Sequence, residues 1–445
     1  MTSKKNKIYL ISLGCAKNLV DSENMLGQLK EKGFSIASSL EEAQIAIINT
    51  CGFIKPAVEE CIDTILEAID RKMDGDLERI VVAGCFVQRY GYKLRKEMPE
   101  VDGWLGTGEI HRITDLLENI GNKPPLFYIG KPDFLADHNT PRIQTTPFYS
   151  AFLKIAEGCS HRCSFCSIPM IRGHFRSREI GSLITEAEGM TERGVKEINL
   201  IAQDTTMYGK DLSGGAGIED LMERLLEIKG LTWIRLLYSH PMGISERLLD
   251  LIEGNDKICP YLDIPLQHVN KEILKAMGRG YHGEGPIQLI NRIRARSRRI
   301  SVRTSLMVGF PGETDDIFRE LYDFVEMAEF DHLGGFIYSP ERGTPAGRLS
   351  GIPDPKISEE RLNAMMTLQH DISQKKNLKY IDQIVPVLIE GTSPETDLLL
   401  SGRTAEMAPD VDGQVLINEG QGIVGEIMQV LIHEAHPYDL VGEII

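Results

Sequence analysis

"EGCSHRCSFCSIP", Glu157–Pro169, places three cysteines, Cys159, Cys163 and Cys166, within eight residues, with no fourth close behind. It continues directly from the strand-like run "FLKIAE" (152–157). In α/β architectures the C-terminal end of a strand is where chemistry is placed. A structural zinc site takes four ligands, and His161 or His174 could supply the last one. A ferredoxin-type cluster also takes four thiolates. Three thiolates on a 4Fe–4S cube leave one iron open to a molecule that chelates through an amine and a carboxylate. S-adenosylmethionine (SAM) carries both groups.

Working outward, residues 151–375 alternate strand and helix. Six strand candidates stand out: "FLKIAE", "EINLIAQ", "WIRLLYS", "YLDIPLQ", "VRTSLMVGF" and "GGFIYS". Amphipathic stretches such as "IEDLMERLLEIK" and "DDIFRELYDFVEMAE" separate them. Six βα units fall short of the eight in a closed barrel. The expectation is a partial, TIM-like (β/α)6 barrel with one side open to a macromolecular substrate. Loops after these strands would hold SAM. Gln203, Gln267 and Arg303 have the polarity for its amino-acid or ribose part, and Gly309 lets backbone approach the adenine. Each could instead close or cap a loop.

The N-terminal segment repeats the alternation. "KIYLISLG" (7–14), "AQIAIINT" (43–50) and "RIVVAG" (79–84) read as strands with helices between them, implying a parallel, Rossmann-like sheet. Each strand is followed at once by a cysteine: Cys15, Cys51 and Cys85. Neighbouring strands lie about 4.8 Å apart, so three adjacent strand ends bring these thiols within about 10 Å. They read either as a second three-cysteine cluster site or as three small buried side chains. Cys61 falls on an apolar helix stripe with Val58, Ile65 and Ile69, and Cys259 has no evident partner.

Residues 121–150 carry several prolines and little periodicity, as in a linker. From about 381, short strands broken by Gly, Pro and Asp suggest a small antiparallel β-barrel of OB-like size. The expected division is 1–125, a linker 126–147, 148–375 and 376–445, in keeping with a chain of 445 residues. No stretch has the ~18 apolar residues of a membrane span, and "MTSKKNKIYLISLG" lacks the pattern of a signal peptide. A cytoplasmic protein is expected, in which eight cysteines stay thiols rather than form disulfides.

The net charge of −16 is uneven: residues 381–445 hold twelve acidic side chains and one basic, Arg403, for −11, leaving −5 elsewhere. Such a surface repels a nucleic-acid backbone and suits a basic protein partner, with Asp410, Asp412 and Glu419 as expected docking carboxylates. "NRIRARSRR" (291–299) is a basic run. It reads as the solvated face of a helix with Leu289, Ile293 and Ile300 inward, or as a contact to RNA.

"SLGCAKNLVDSE", "INTCGFI" and "VVAGCFVQRY", followed by "EGCSHRCSFCSIP" and an acidic β-rich tail, resemble the radical SAM methylthiotransferase family over nearly the whole chain. "GCAKNLVDSE" (14–23) and "GRTAEMAPDVDG" (402–413) are most similar to the branch that modifies an aspartate of small-subunit ribosomal protein twelve. The transfer-RNA branch opens its first cysteine motif with a "GCQMN"-like run. The resemblance implies a radical-generating 4Fe–4S cluster on Cys159, Cys163 and Cys166. It implies an auxiliary 4Fe–4S cluster carrying sulfur on Cys15, Cys51 and Cys85, and a C-terminal TRAM domain. SAM would serve both as methyl donor and as source of a 5′-deoxyadenosyl radical, with Phe165 near the adenine. The expected partners are a basic ribosomal protein and an electron donor such as flavodoxin or ferredoxin. Transfer RNA is the alternative substrate, and a non-enzymatic two-cluster carrier or zinc-stabilised adaptor is a third reading.

Overall fold

The computed structural model describes residues 7–120, 125–281 and 284–445. Residues 1–6, read above for a leader, and 121–124 of the proline-bearing stretch lie outside the described residues.

The strands Lys7–Ser12, Ile45–Thr50 and Arg79–Gly84 lie side by side and parallel, as their sequence predicts. Ile45–Thr50 is buried along its whole length, which is why it reads as an unbroken apolar run rather than an alternating one. The sheet has six strands, not three, because Ser35–Ile36, Gly103–Gly106 and Leu126–Tyr128 extend its edges. These pieces are two to four residues long, too short to show a period. The last comes from the stretch read as a linker.

The first helix, Ala16–Glu31, is not amphipathic in the usual way. Its buried residues include Lys17, Asn18, Asp21, Ser22, Glu23 and Asn24. It is held between its own sheet, through Met25 and Leu29, and the central region. Glu23 has no exposed surface and takes Arg142 Nη2 at 2.6 Å and the Thr145 backbone N–H at 2.6 Å. The polar half of "NLVDSE" is therefore an interdomain surface.

The central region contains the six expected strands, all parallel: Ser150–Lys154, Glu197–Ile201, Trp233–Leu236, Tyr261–Asp263, Ser301–Val308 and His332–Ile337. Among the described residues, one parallel bridge, from Ile234 to Ile258 just before Tyr261–Asp263, joins the first three to the last three. Helices pack outside. Asp315–Ala328 is representative: Thr314 accepts the Ile317 N–H as N-cap, Asp315 and Asp316 complement the helix dipole, and Leu321, Phe324, Val325 and Ala328 form the buried stripe.

The C-terminal segment closes as a five-stranded barrel in the order 384–393, 396–404, 415–419, 440–444, 427–435. The small antiparallel barrel expected is present, with one parallel pair in it. Val415–Glu419 and Leu440–Ile444 pair in parallel. An odd number of strands cannot alternate direction all the way round a closed circle, so one neighbouring pair must run the same way.

This barrel is clamped to the central one through buried charge. Arg403, its sole basic residue, reaches out of it to Glu197, Nη1 to Oε1 at 2.8 Å, and Arg235 Nε donates to the same carboxylate at 3.1 Å. Burial opposes the charge of Glu197, but Arg403 and Arg235 outweigh it and hold the carboxyl down at about 2. The basic run is answered within the chain. Arg292 pairs with Glu246 and Glu284, Arg294 with Asp331, Arg296 with Asp250 and Glu253, and Arg299 with Asp331, while Arg298 donates to two backbone carbonyls. Leu289, Ile293 and Ile300 point inward. That pairing favours the helix-face reading over a contact with RNA.

Candidate metal centres

The loop of Cys159, Cys163 and Cys166 leaves the end of the first central strand and is pinned from three sides. Cys159 N–H donates to Gly173 O at 3.0 Å, Ser164 N–H to Met277 O at 2.8 Å, and Ala346 N–H to Ser164 O at 2.8 Å. Arg279 donates from Nη1 to Cys163 Sγ at 3.8 Å and from Nη2 to Pro265 O at 2.7 Å. Burial pushes the Cys159 thiol up to about 11 and Cys166 to about 12. These thiols stay protonated at neutral pH until a metal displaces the protons.

Cys15, Cys51 and Cys85 also converge. A Cβ added to Gly14, which sits at φ +91°, would lie 2.8 Å from Cys51 Cβ, and one on Gly52 would lie 2.7 Å from the Cys85 carbonyl carbon. Cys15 caps the first helix and Cys85 begins the helix Cys85–Tyr90. Burial raises Cys51 and pushes Cys85 to about 12. Burial opposes the Cys15 thiolate too, but there the charges of Lys17 and Arg172, with backbone N–H groups, prevail and lower its pKa. Arg89 holds the Cys51 turn, donating to Gly52 O at 2.8 Å and to Glu341 of the last central loop at 2.6 Å.

Between the two groups lies a buried charge network. Arg172 donates to Asp21 at 2.9 Å and to Glu157 at 3.3 Å, and Lys154 pairs with the same two carboxylates. Asp21 belongs to the first helix, six residues from Cys15, whereas Glu157 lies two residues before Cys159. Arg172 also acts on the Cys15 and Cys85 thiols. The network thus links the two sites sterically and electrostatically.

The zinc alternative fares poorly. His174 is exposed. His161 gives Nε2 to Asp204 Oδ2 at 2.5 Å and stacks on His240, centroids 4.1 Å apart and planes within 14°. In-plane lone pairs of parallel stacked rings run side by side rather than converge on one ion. Burial, aided by Arg279 nearby, holds His240 down at about 3, so it is neutral. The trio ties the cysteine loop to the strand ends that carry Asp204 and His240. Among the described residues, neither cysteine group has its three sulfurs all within 4.8 Å. That exceeds the roughly 3.8 Å that Zn–S bonds of about 2.3 Å impose and suits a larger polynuclear centre.

The sites expected for SAM divide. Gln267 holds φ +70°, a conformation rare for glutamine, and its buried Oε1 has no partner. Such an acceptor suits a bound polar group. Gln203 is half-buried in the loop after Glu197–Ile201. Phe165 packs against the apolar cluster that contains Met277, Phe310 and Tyr338. Gly309 adopts φ +75° with Ser358 Oγ 2.5 Å from where its Cβ would sit, so the helix Pro355–Asn377 accounts for the glycine. Arg303 lies near the start of its strand, paired with Asp412 of the C-terminal barrel. Asp412 also accepts from Tyr261 Oη at 2.7 Å and has no exposed side-chain surface. It is therefore an interdomain anchor rather than the docking carboxylate expected. Asp410 and Glu419 are exposed. Arg279, Arg172 and the His161–Asp204–His240 group escaped the sequence reading. Arg279 stands in a loop between two glycines and Arg172 ends the short helix Ile168–Arg172 before Gly173, with no spacing to tie either to a distant cysteine.

Comparison with known proteins agrees with this layout. Residues 7–106 match the Uncharacterized protein family UPF0004, residues 153–325 the radical SAM superfamily and residues 381–445 the TRAM domain. Among solved structures, the radical SAM methyltransferase TsrM from Kitasatospora setae superposes with a TM-score of 0.56 at 15% identity, covering 77% of each chain. The cobalamin-dependent radical enzyme OxsB gives 0.51 at 14% identity over 82% of this chain and 56% of its own. Both are likenesses of fold. The sequence relatives are much nearer. Ribosomal protein uS12 methylthiotransferases RimO from Geotalea uraniireducens and Geobacter sulfurreducens are 49% and 47% identical over 100% of this chain, and cover 99% and 100% of their own lengths. That of Myxococcus xanthus is 43% identical over 100% of this chain and 93% of its own. An enzyme with two three-cysteine groups, a six-stranded parallel half-barrel and a closed C-terminal barrel, similar from end to end to these proteins, belongs to the RimO family of radical SAM methylthiotransferases, whose cofactors are SAM and 4Fe–4S clusters.

Proposed function

We propose that the chain methylthiolates the β-carbon of an aspartate in ribosomal protein uS12, with Cys159, Cys163 and Cys166 holding one 4Fe–4S cluster and Cys15, Cys51 and Cys85 the other. The observation that carries this reading is the pairing of the two cysteine groups across the Asp21–Lys154–Glu157–Arg172 network. When bound, the clusters and SAM supply the radical that takes a hydrogen atom and the methylthio group that replaces it. The residues of the chain prepare that chemistry. Arg279 orients Cys163 and offsets thiolate charge. Asp204 and His161 hold the loop of the radical cluster against the strand ends. Gln203, Gln267, Phe165 and Gly309 are the proposed SAM contacts. Arg303 would have to release Asp412 to join them.

The units proposed for this work are residues 1–125, 148–375 and 376–445, with 126–147 as the crossing. The C-terminal barrel spends its one arginine on Glu197 of the central half-barrel and leaves Asp410 and Glu419 exposed, a surface suited to a lysine- and arginine-rich ribosomal protein. The same surface disfavours the transfer-RNA alternative. No helix of the described residues is long and apolar enough to cross a membrane. A cytoplasmic site of action, with a flavodoxin or ferredoxin as reductant, belongs to the proposal. Purified, reconstituted enzyme given uS12 and transfer RNA side by side tests the reading. Mass spectrometry should find the methylthio group on the uS12 aspartate. A methylthiolated nucleoside with unmodified uS12 would overturn it.

A further inference from the structure

Eight lysine and arginine side chains are buried among the described residues: Lys17, Lys154, Arg172, Arg178, Arg235, Arg361, Lys376 and Arg403. Seven hold a carboxylate. Lys154 and Arg172 share Asp21 and Glu157; Arg178 has Glu186; Arg235 and Arg403 share Glu197; Arg361 has Glu313; Lys376 has Asp331. Lys17 is the exception. It is only 6% exposed, and its Nζ sits 3.1 Å from the centroid of the Tyr238 ring with no carboxylate in ion-pair range.

Lys17 also breaks a local rule. It lies in the first turn of the helix Ala16–Glu31, where the helix dipole disfavours a cation, and no acidic residue accompanies it there. A buried, unpaired ammonium at the positive end of a helix is opposed by desolvation and by the dipole together. Such violations of otherwise consistent design gather at functional sites. The cation–π contact offsets part of the cost but leaves the hydrogen-bonding capacity of the ammonium unspent.

Its position defines what could use it. Lys17 is two residues from Cys15. It reaches Tyr238, which follows the third central strand and holds φ +57°, with its N–H on Asp263 Oδ2 at 3.1 Å. The ammonium thus spans from the N-terminal cysteine group to the inner end of the central half-barrel, and its charge is felt at Asp263. A substrate entering between the strand ends of the half-barrel and the N-terminal cysteine group would meet it. In an aspartate side chain the β-carbon is bonded directly to the carboxylate carbon. A group that grips the carboxylate fixes the reacting carbon one bond away.

We propose that Lys17 binds the carboxylate of the target aspartate and so both selects the substrate and positions its β-carbon. The inference rests on the uS12 reading above. Charge-assisted hydrogen bonding to a carboxylate distinguishes aspartate from the isosteric asparagine, which offers no charge. The test uses synthetic peptides spanning the target of uS12, one with Asp and one with Asn at the modified position. Reconstituted enzyme and Lys17→Met, whose unbranched stem fills the same space, are compared, with Lys17→Gln as the second variant should the first not fold. Three quantities are read: methylthio transfer, fluorescence anisotropy of the labelled peptides, and iron content with 5′-deoxyadenosine formation. The unsubstituted enzyme should prefer the Asp peptide by about tenfold or more in both transfer and binding, and the substituted enzyme should bind the two peptides alike. An Asp preference unchanged in the variant overturns the inference. So does loss of iron or of SAM cleavage in step with transfer, which would assign the ammonium to a cofactor. Failure of the unsubstituted enzyme to modify the Asp peptide at all sinks the uS12 reading and this inference with it.

Discussion

The two cysteine groups are built in opposite ways. Cys159, Cys163 and Cys166 come from one loop, and backbone hydrogen bonds to Gly173, Met277 and Ala346 shape that loop. Cys15, Cys51 and Cys85 come from the ends of three strands, brought together only because those strands pair in parallel and in register. The first group sits on one short stretch of chain, braced by backbone from distant loops. The second needs a folded sheet, and a slip of one residue would turn its neighbours to the opposite face. Each lies beside an arginine, Arg279 for one and Arg172 for the other. Only Arg172 also contacts the opposite side, so the two groups are unequal in what their loss should do.

The largest effect separates them by function. Cys163→Ala should reduce SAM cleavage to background. Replacing Cys15, Cys51 and Cys85 together should abolish methylthio transfer while cleavage continues. In each case iron should fall from about eight to about four per chain, as for two independent 4Fe–4S cubes. Full iron retention in either variant would break the comparison.

Arg172→Met probes the link. It leaves Asp21 and Glu157 sharing one cation, Lys154, in a buried site. Breaking a buried pair in this way costs about 3–5 kcal/mol. Chemical denaturation should show that loss, and transfer should fall further than SAM cleavage. Equal losses would mean that the network serves folding alone.

Acid distinguishes the regions by a smaller step. Glu197, on the strand beside the one leading to Cys159, has its carboxyl held at about 2 in the folded protein against an ordinary 4.5. Its contribution is therefore complete above 4.5 and is lost as the pH falls toward 2. The C-terminal barrel should loosen over that window, seen as protease cleavage between Asn377 and Ile384. Glu197→Gln should produce the same cleavage at neutral pH. The smallest change is expected on the outer helix face, far from either cysteine group. Arg292→Ala should cost less than about 1 kcal/mol in thermal melting, because its partners Glu246 and Glu284 are substantially exposed. It should leave transfer to ribosome-bound uS12 unaltered.

How much of this was legible depends on sequence distance. The six central strands were found by their apolar runs, since each is bounded by a helix of clear period. The edge strands at 35–36, 103–106 and 126–128 were not, because two to four residues carry no period. The tail was read correctly as a small barrel, but its parallel pair follows from closure, which no single strand encodes. Asp412 illustrates a different gap. Counted as charge, it belongs with Asp410 and Glu419; folded, it is enclosed by Arg303, Tyr261 and His332.

By itself the sequence determined the spacing of Cys159, Cys163 and Cys166, the alternation of strands and helices, and the acidic balance of the last 65 residues. These are local properties, written in neighbours a few residues apart. The tertiary structure alone decided that Arg279 reaches Cys163, that Arg172 joins two cysteine groups, and that Lys17 turns into the half-barrel without a carboxylate. Each of those contacts closes a loop of roughly a hundred residues or more. Its cost is conformational entropy recovered only when the whole core forms, so no period or motif records it in advance.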